Sequence, residues 1–318
     1  MVGKLTPNTM LSASRLPAIM GMSKYRSAND ELLMSIEAIK GNQPPDISNE
    51  SMEWGNKLEP TILMEAANRL GCSQLDYNHE EAYFHDDWPI SCSLDGTATG
   101  NGEELFSDPE RGIYVVGQDS IRLDGTGVLE AKLTAMDAED VPPLWRGPLQ
   151  LQAQMAIYKA QWGAIATLYK GTELRIFVFA LHQQTLETIE KVSKDFQDRL
   201  DRYKNTGEID YYPVQNPKDA ARTYSDATDE EPLKLDDYAE ELAKLIQENK
   251  AKAAKLEAEN EQAQTQLMEI LKNHKYGIAG KYQISWPTRS YKATVARIVP
   301  AKEAYTVRQS TLTIKELK

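Results

Sequence analysis

Val128-Leu129-Glu130-Ala131-Lys132-Leu133-Thr134 is the stretch on which the reading of this chain turns. Apolar and β-prone residues run through it without turn chemistry, which predicts a strand. Alternation along a strand puts Glu130 and Lys132 on one face, two residues apart. An acid and a base side by side on a strand also occur as ordinary surface patterning. The decision therefore rests on what flanks them.

Upstream, Glu81 to Gly96 predicts strand, turn, strand, and ends in Ser93-Leu94-Asp95-Gly96. Asp95 thus stands where a strand gives way to a turn. Two carboxylates meeting from adjacent strands make an oxygen-rich pocket suited to a hard divalent cation, Mg²⁺ or Mn²⁺. A lysine beside it can orient an attacking water and offset phosphate charge, while the metal polarises the phosphate. Earlier still, a helix predicted over Met52 to Leu70 and closed by Gly71 carries Trp54-Gly55-Asn56-Lys57-Leu58-Glu59-Pro60. Glu59 would complete a metal shell. Downstream, a helix predicted from Pro148 to Ala160 opens with Gln150, Gln152 and Gln154. Gln150 and Gln154 share a face and can meet a water or a DNA phosphate. Asp124-Gly125-Thr126-Gly127 is a second Asp-Gly turn, and Asp124 is the alternative to Asp95 as the first carboxylate.

Taken together and in this order, these motifs resemble the PD-(D/E)xK nuclease superfamily. Within it they resemble the YqaJ-like viral recombinase and lambda exonuclease family. The resemblance runs from about Leu11 to Phe179 and includes Ser12-Ala13-Ser14-Arg15. It implies an α/β (α+β) restriction-endonuclease-like core, a central mixed sheet flanked by helices. It implies metal coordination by Asp95 and Glu130 with support from Glu59, and catalytic help from Lys132 and Gln150. It places Ser14 at the DNA 5′-phosphate together with Lys24 or Arg26, and Arg15 near DNA. The implied activity is Mg²⁺-dependent exonucleolytic digestion of linear double-stranded DNA, 5′ to 3′, leaving 3′ overhangs for recombination. The implied partners are DNA ends, further copies in a ring-shaped trimer or tetramer, and a single-strand annealing protein. Two departures stand out: Thr97 to Gly127 lengthens the connection between Asp95 and Glu130, and His85 stands where the lambda-type enzyme has a further acid.

Composition sets the outer limits. The 318 residues are 41% hydrophobic and 26% charged, enough for a folded core. Two cysteines, Cys72 and Cys92, exclude a disulfide framework and any four-cysteine zinc or iron–sulfur site. No apolar run reaches the length of a membrane span and the start shows no apolar signal region, so a cytoplasmic protein is expected, and the resemblance implies one encoded by a phage or prophage. The formal charge of −12 is unevenly spread, because Lys275 onward carries six Lys and three Arg against two Glu.

The expected organisation is a nuclease domain over 1–212, a linker over 213–232 rich in Pro, Asp, Thr and Ser, a long helix over 233–274, and a basic β-rich tail over 275–318. The helix has an apolar seam interrupted by Asn249, Lys252 and Asn260, which suits packing on a partner. In the tail, Lys292 and Arg297 are expected DNA contacts. The competing reading is a non-catalytic DNA-binding or scaffolding module on a nuclease fold. The joint presence of Glu59, Asp95, Glu130, Lys132 and Gln150 argues for chemistry.

Overall fold

The structure is a computed structural model that describes residues 6–42, 49–225 and 231–288. It divides into two compact units, Met1–Thr223 and Tyr224–Lys318.

In the first unit the chain opens with a short strand β1 (Leu11–Ser12), a 3-10 turn (Ala13–Arg15), α1 (Leu16–Ile19) and α2 (Ala28–Ile39). Ser27 caps α2 through a reciprocal capping box with Asp30. Helix α3 (Glu50–Arg69) follows, capped by Asn49, whose side chain accepts from the Met52 N–H at 3.1 Å. Next come β2 (Ser73–Asp76), β3 (Tyr83–Phe84), β4 (Ile90–Cys92) and β5 (Gly96–Thr99). The long connection adds β6 (Glu104–Phe106), β7 (Ile113–Val115) and β8 (Ser120–Arg122). The chain then enters β9 (Thr126–Thr134), α4 (Pro148–Tyr158), β10 (Trp162–Tyr169), β11 (Glu173–Ala180), α5 (Gln183–Thr206) and α6 (Pro217–Thr223).

Six strands form the central mixed sheet in the order β2-β5-β9-β10-β11-β7. β9 and β10 are parallel, with Glu130 opposite Ile165, and α4 is the crossover that a parallel pair requires. β5 is antiparallel to β9, and β11 to β10. One face of the sheet carries α1, α2, α4 and α5, packed on Val128 and Ile165. Helix α5 presents Leu186, Ile189, Ser193, Phe196 and Leu200 inward, the spacing of a single helix face. The other face carries α3, whose Ile62, Leu63, Ala66 and Ala67 meet Leu129, Ala164 and Ala166. The sequence thus predicted the mixed sheet with helices on both sides.

The insertion between β5 and β9 completes this sheet. Its β7 pairs in parallel with β11 and covers the open edge, while Ile113, Ile121 and Leu123 join the core under α3. Gly112 makes the approach possible: it has φ +67°, and a Cβ there would stand 2.4 Å from the Leu174 carbonyl oxygen.

Leu11 and Ser12 pair in parallel with Ile90 and Ser91, because strand partners far along the chain decide so short a strand. The segment read as linker from 213 contains α6, which packs on α2 and ties Arg222 to Asp30 at 3.0 Å. Cys72 is half-buried and Cys92 fully buried, and burial pushes their thiols up to about 11 and about 12.

In the second unit, α7 (Asp237–Leu271) runs 35 residues, about 50 Å, and precedes a hairpin of β12 (Tyr276–Ala279) and β13 (Tyr282–Ser285). The tail residues Lys292 and Arg297 lie outside the described residues. Among the described residues no helix is long and apolar enough to cross a membrane.

Two glycines test the packing. A Cβ on Gly127 would lie 2.3 Å from the ring of the fully buried Trp162, whereas Gly55 in α3 has nothing within 4 Å. Gly127→Ala should destabilise the domain by about 1–3 kcal/mol through overpacking. Gly55→Ala should stabilise it by about 0.5–1 kcal/mol. Urea unfolding of the two variants measures both signs.

Candidate active site

The site forms where β5 begins beside β9. Gly96 pairs with Leu129 in the antiparallel register, so one step further brings Asp95 level with Glu130. Asp95 Oδ2 accepts from the Ala131 N–H at 2.9 Å, which fixes its carboxylate against the β9 backbone. Glu130 is 1% exposed. Lys132, on the same face of β9, donates to Glu130 Oε1 and also to Gln150 Oε1 at 3.4 Å. Its side chain keeps 30% exposure, so Lys132 is only partly enclosed.

Helix α4 supplies the rest. Gln150 Nε2 donates to Glu130 Oε1 at 2.8 Å. One turn later, Gln154 Nε2 donates to Glu130 Oε2 at 2.7 Å and to the Ser93 carbonyl at 3.1 Å. Both carboxylate oxygens of Glu130 are therefore held by side chains of this chain. Glu59 is half-buried on α3, within electrostatic range of Glu130 and Lys132.

The electrostatics follow from crowding acids in a poorly hydrated place. Burial, then the charge of Glu130, holds the Asp95 carboxyl well above the usual range, against the pull of Lys132. Burial and Glu130 also raise Glu59. Burial on its own would lower Lys132, but the charges of Glu130, Asp95 and Glu59 outweigh it and raise the ammonium. Three carboxylates face one lysine. Among the described residues no three His, Cys, Asp or Glu side chains are gathered as a ready metal cage. Asp95 and Glu130 stand level on the two paired strands, and Glu59 lies within electrostatic range of Glu130.

On this frame the sequence profile of the YqaJ-like viral recombinase domain matches residues 6–215. The chain belongs to that family. Among solved structures, LHK-Exo in complex with dAMP is similar, with 17% identity over 63% of this chain and 95% of that one and a TM-score of 0.44. So is the alkaline exonuclease LHK-Exo from Laribacter hongkongensis, at 16% identity over 61% and 89%, TM-score 0.43. A phage-related exonuclease from Haemophilus somnus 129PT matches at 12% identity over 63% and 96%, TM-score 0.38. No curated protein matches the chain. Family membership and the gathered acids and lysine together support a nuclease.

Within this recombinase domain the expected chemical residues Asp95, Glu130, Lys132, Gln150 and Glu59 share one site. Asp124, the alternative acid, is exposed and paired with Arg122 at 2.9 Å, beyond the far end of β9. Ser14 is exposed on the 3-10 turn that packs beside α4, with its Oγ 3.3 Å from Ser12 Oγ. Lys24 is exposed and its Nζ lies 6.0 Å from the centre of the Trp145 ring. Arg26 is engaged with Glu31 at 3.2 Å. His85 Nδ1 accepts the N–H groups of Asp87 and Trp88 at 3.1 Å, closing the turn between β3 and β4. Gln154, which the sequence placed on the face of Gln150, is fully buried against Glu130 rather than turned to solvent.

Arg15 requires a correction. It was expected at DNA, but it is 5% exposed and its guanidinium is spent inside the protein. Nε donates to Glu31 Oε2 at 2.5 Å, Nη2 to the Glu31 carbonyl at 2.5 Å and to Ser35 Oγ at 2.8 Å, and Nη1 to the Met10 carbonyl at 3.0 Å. Glu31, sixteen residues away, draws it in. Arg15→Ala should cost about 3–5 kcal/mol by removing the buried partner of a buried acid, while Arg26→Ala at the exposed end of the same cluster should cost about 1 kcal/mol or less. Chemical denaturation of both variants checks the contrast.

Proposed function

We propose that this domain hydrolyses the phosphodiester bonds of linear duplex DNA as a metal-dependent exonuclease, working 5′ to 3′ and leaving 3′ overhangs for phage-type recombination. The observation that carries the proposal is the joining of Asp95 and Glu130 across two paired strands with Lys132 on the same face. The donor set is all oxygen, and its negative charge exceeds that of the one lysine, which fits a hard divalent cation. Asp95 and Glu130 would hold Mg²⁺, or Mn²⁺ in its place, with Glu59 alongside. When bound, the ion supplies Lewis-acid polarisation of the scissile phosphate and stabilises the leaving oxygen.

The chain's own residues do the rest. Glu130 and Gln150 anchor the Lys132 ammonium beside the acids, where it orients a water or offsets phosphate charge. Ser14 and Lys24 are exposed and form the proposed 5′-phosphate pocket; the engagement of Arg26 with Glu31 favours Lys24 as its cation. The same reading carries a ring-shaped trimer or tetramer of this chain, a single-strand annealing partner, and work in the cytoplasm of a bacterial host.

Two outcomes test it. Lys132→Ala should lower cleavage of linear duplex DNA by about 10²–10³-fold, the scale of one deleted electrostatic contact at a reacting centre, with folding and DNA affinity retained. EDTA should stop the wild-type protein and added Mg²⁺ restore it. Shifted but undegraded DNA with wild-type protein and Mg²⁺ would instead indicate a binding module.

For the 5′ end, 5′-phosphorylated duplex should be degraded about 10-fold faster than 5′-hydroxyl duplex, the scale of one hydrogen bond to a charged group. Lys24→Ala should erase that difference. End-labelled DNA distinguishes the cases, and equal rates for the wild-type protein would remove the pocket.

A further inference from the structure

Helix α4 carries two buried glutamines two residues apart, and they are satisfied in different ways. Gln152, 5% exposed, uses both ends of its amide: Nε2 donates to the Ala180 carbonyl at 2.8 Å, and Oε1 accepts the His182 N–H at 2.8 Å. It joins α4 to the end of β11, away from the acids. Gln154, 0% exposed, uses only its nitrogen, which bridges Glu130 Oε2 and the Ser93 carbonyl. Its Oε1 is buried and has no hydrogen-bond partner among the described residues. Turning the amide over would set its oxygen against two acceptors, so the observed orientation is fixed by those acceptors. A glutamine kept only for packing has no reason to leave a buried oxygen unpaired.

The two atoms that Gln154 bridges identify what it does. Glu130 is the buried acid of β9, and Ser93 lies two residues before Asp95 on the segment leading into β5. One amide thus joins the chain segments that bear the two carboxylates. With Gln150 and Lys132 on Oε1 and Gln154 on Oε2, the Glu130 carboxylate has one plane open to it. We infer that Gln154 is a positioning residue: it fixes the rotation of the Glu130 carboxylate and the spacing of Glu130 from Asp95, and so sets the affinity of the site for a divalent cation. The inference rests on the metal-dependent nuclease reading above. Hydrogen-bond partners of metal-binding side chains contribute in this manner in general.

The experiment compares full-length wild-type protein with Gln154→Met and Gln152→Met. Each variant replaces a buried amide with an apolar chain of similar length. Calorimetric titration with Mn²⁺ alone reads affinity, single-turnover digestion of linear duplex DNA over a Mg²⁺ series reads the metal requirement, and urea unfolding reads stability. Gln154→Met should fold, bind Mn²⁺ about 10–100-fold more weakly, and need correspondingly more Mg²⁺. Gln152→Met should lose stability yet bind Mn²⁺ as the wild type does. Wild-type Mn²⁺ affinity in Gln154→Met, or an equal loss in Gln152→Met, overturns the inference. So does a Gln154→Met protein that fails to fold where Gln152→Met folds, because that assigns Gln154 to the core alone. Absence of Mn²⁺ binding and cleavage in the wild-type protein would sink the nuclease reading itself, a result distinct from any of these.

Discussion

A carboxylate with 1% of its surface exposed sits on a central strand of a six-stranded sheet, and the surrounding chain is arranged to hold it. Glu130 can remain there only if its lost hydration is replaced by an opposite charge and hydrogen bonds. Lys132 comes from the same face of β9, and Gln150 and Gln154 come from one face of α4. Helix α4 is also the crossover that makes β9 and β10 parallel. The connection that builds the sheet therefore delivers the side chains that satisfy its buried acid. Fold and site are two consequences of one β-α-β unit.

That unit is also the most legible part of the sequence. An apolar strand, a helix opened by proline, and two further strands joined at Lys170-Gly171 each carry a local pattern that tertiary contacts reinforce. The regions that were misread or left out have their cause elsewhere in the chain. β1 is two residues long and exists because Ile90 and Ser91 lie beside it. β2, β5, β6 and β8 are three or four residues each, in stretches rich in turn formers. α6 forms in a polar segment because Asn216 caps it and Arg222 finds Asp30 on α2. Strands this short have too few side chains to display a period, so pairing decides them.

The site divides in the same way. Glu130 and Lys132 are legible because alternation fixes their shared face, and Asp95 because an Asp-Gly turn ends its segment. Spacing on α4 puts Gln150 and Gln154 on one face, but depth is a property of docking: Gln150 reaches the rim and Gln154 the interior. Arg15 shows the opposite error. A cation inside a motif reads as a contact for phosphate until Glu31 and Ser35, on a different helix, and the Met10 carbonyl are seen to occupy its guanidinium. Nothing in a short window of sequence distinguishes the two fates.

Arg15 and Glu130 also show how two buried charge systems in one domain differ in kind. At Arg15, one guanidinium meets one carboxylate, with Arg26 at its exposed side and carbonyl and hydroxyl acceptors for the remaining N–H groups. The two buried charges are matched one to one, and Arg26 adds its contact from the exposed side. At Glu130, the one ammonium pairs with Glu130 while Asp95 and Glu59 lie only within electrostatic range, and burial first, then the charge of Glu130, displaces both of them toward the protonated form. An arrangement kept only for stability would gain by removing an acid, since unpaired buried charge is destabilising. The excess is intelligible if the acids are there to receive positive charge that the chain does not itself contain. The metal reading rests on where these acids are held: Asp95 fixed by the Ala131 N–H, level with the buried Glu130 on the paired strand.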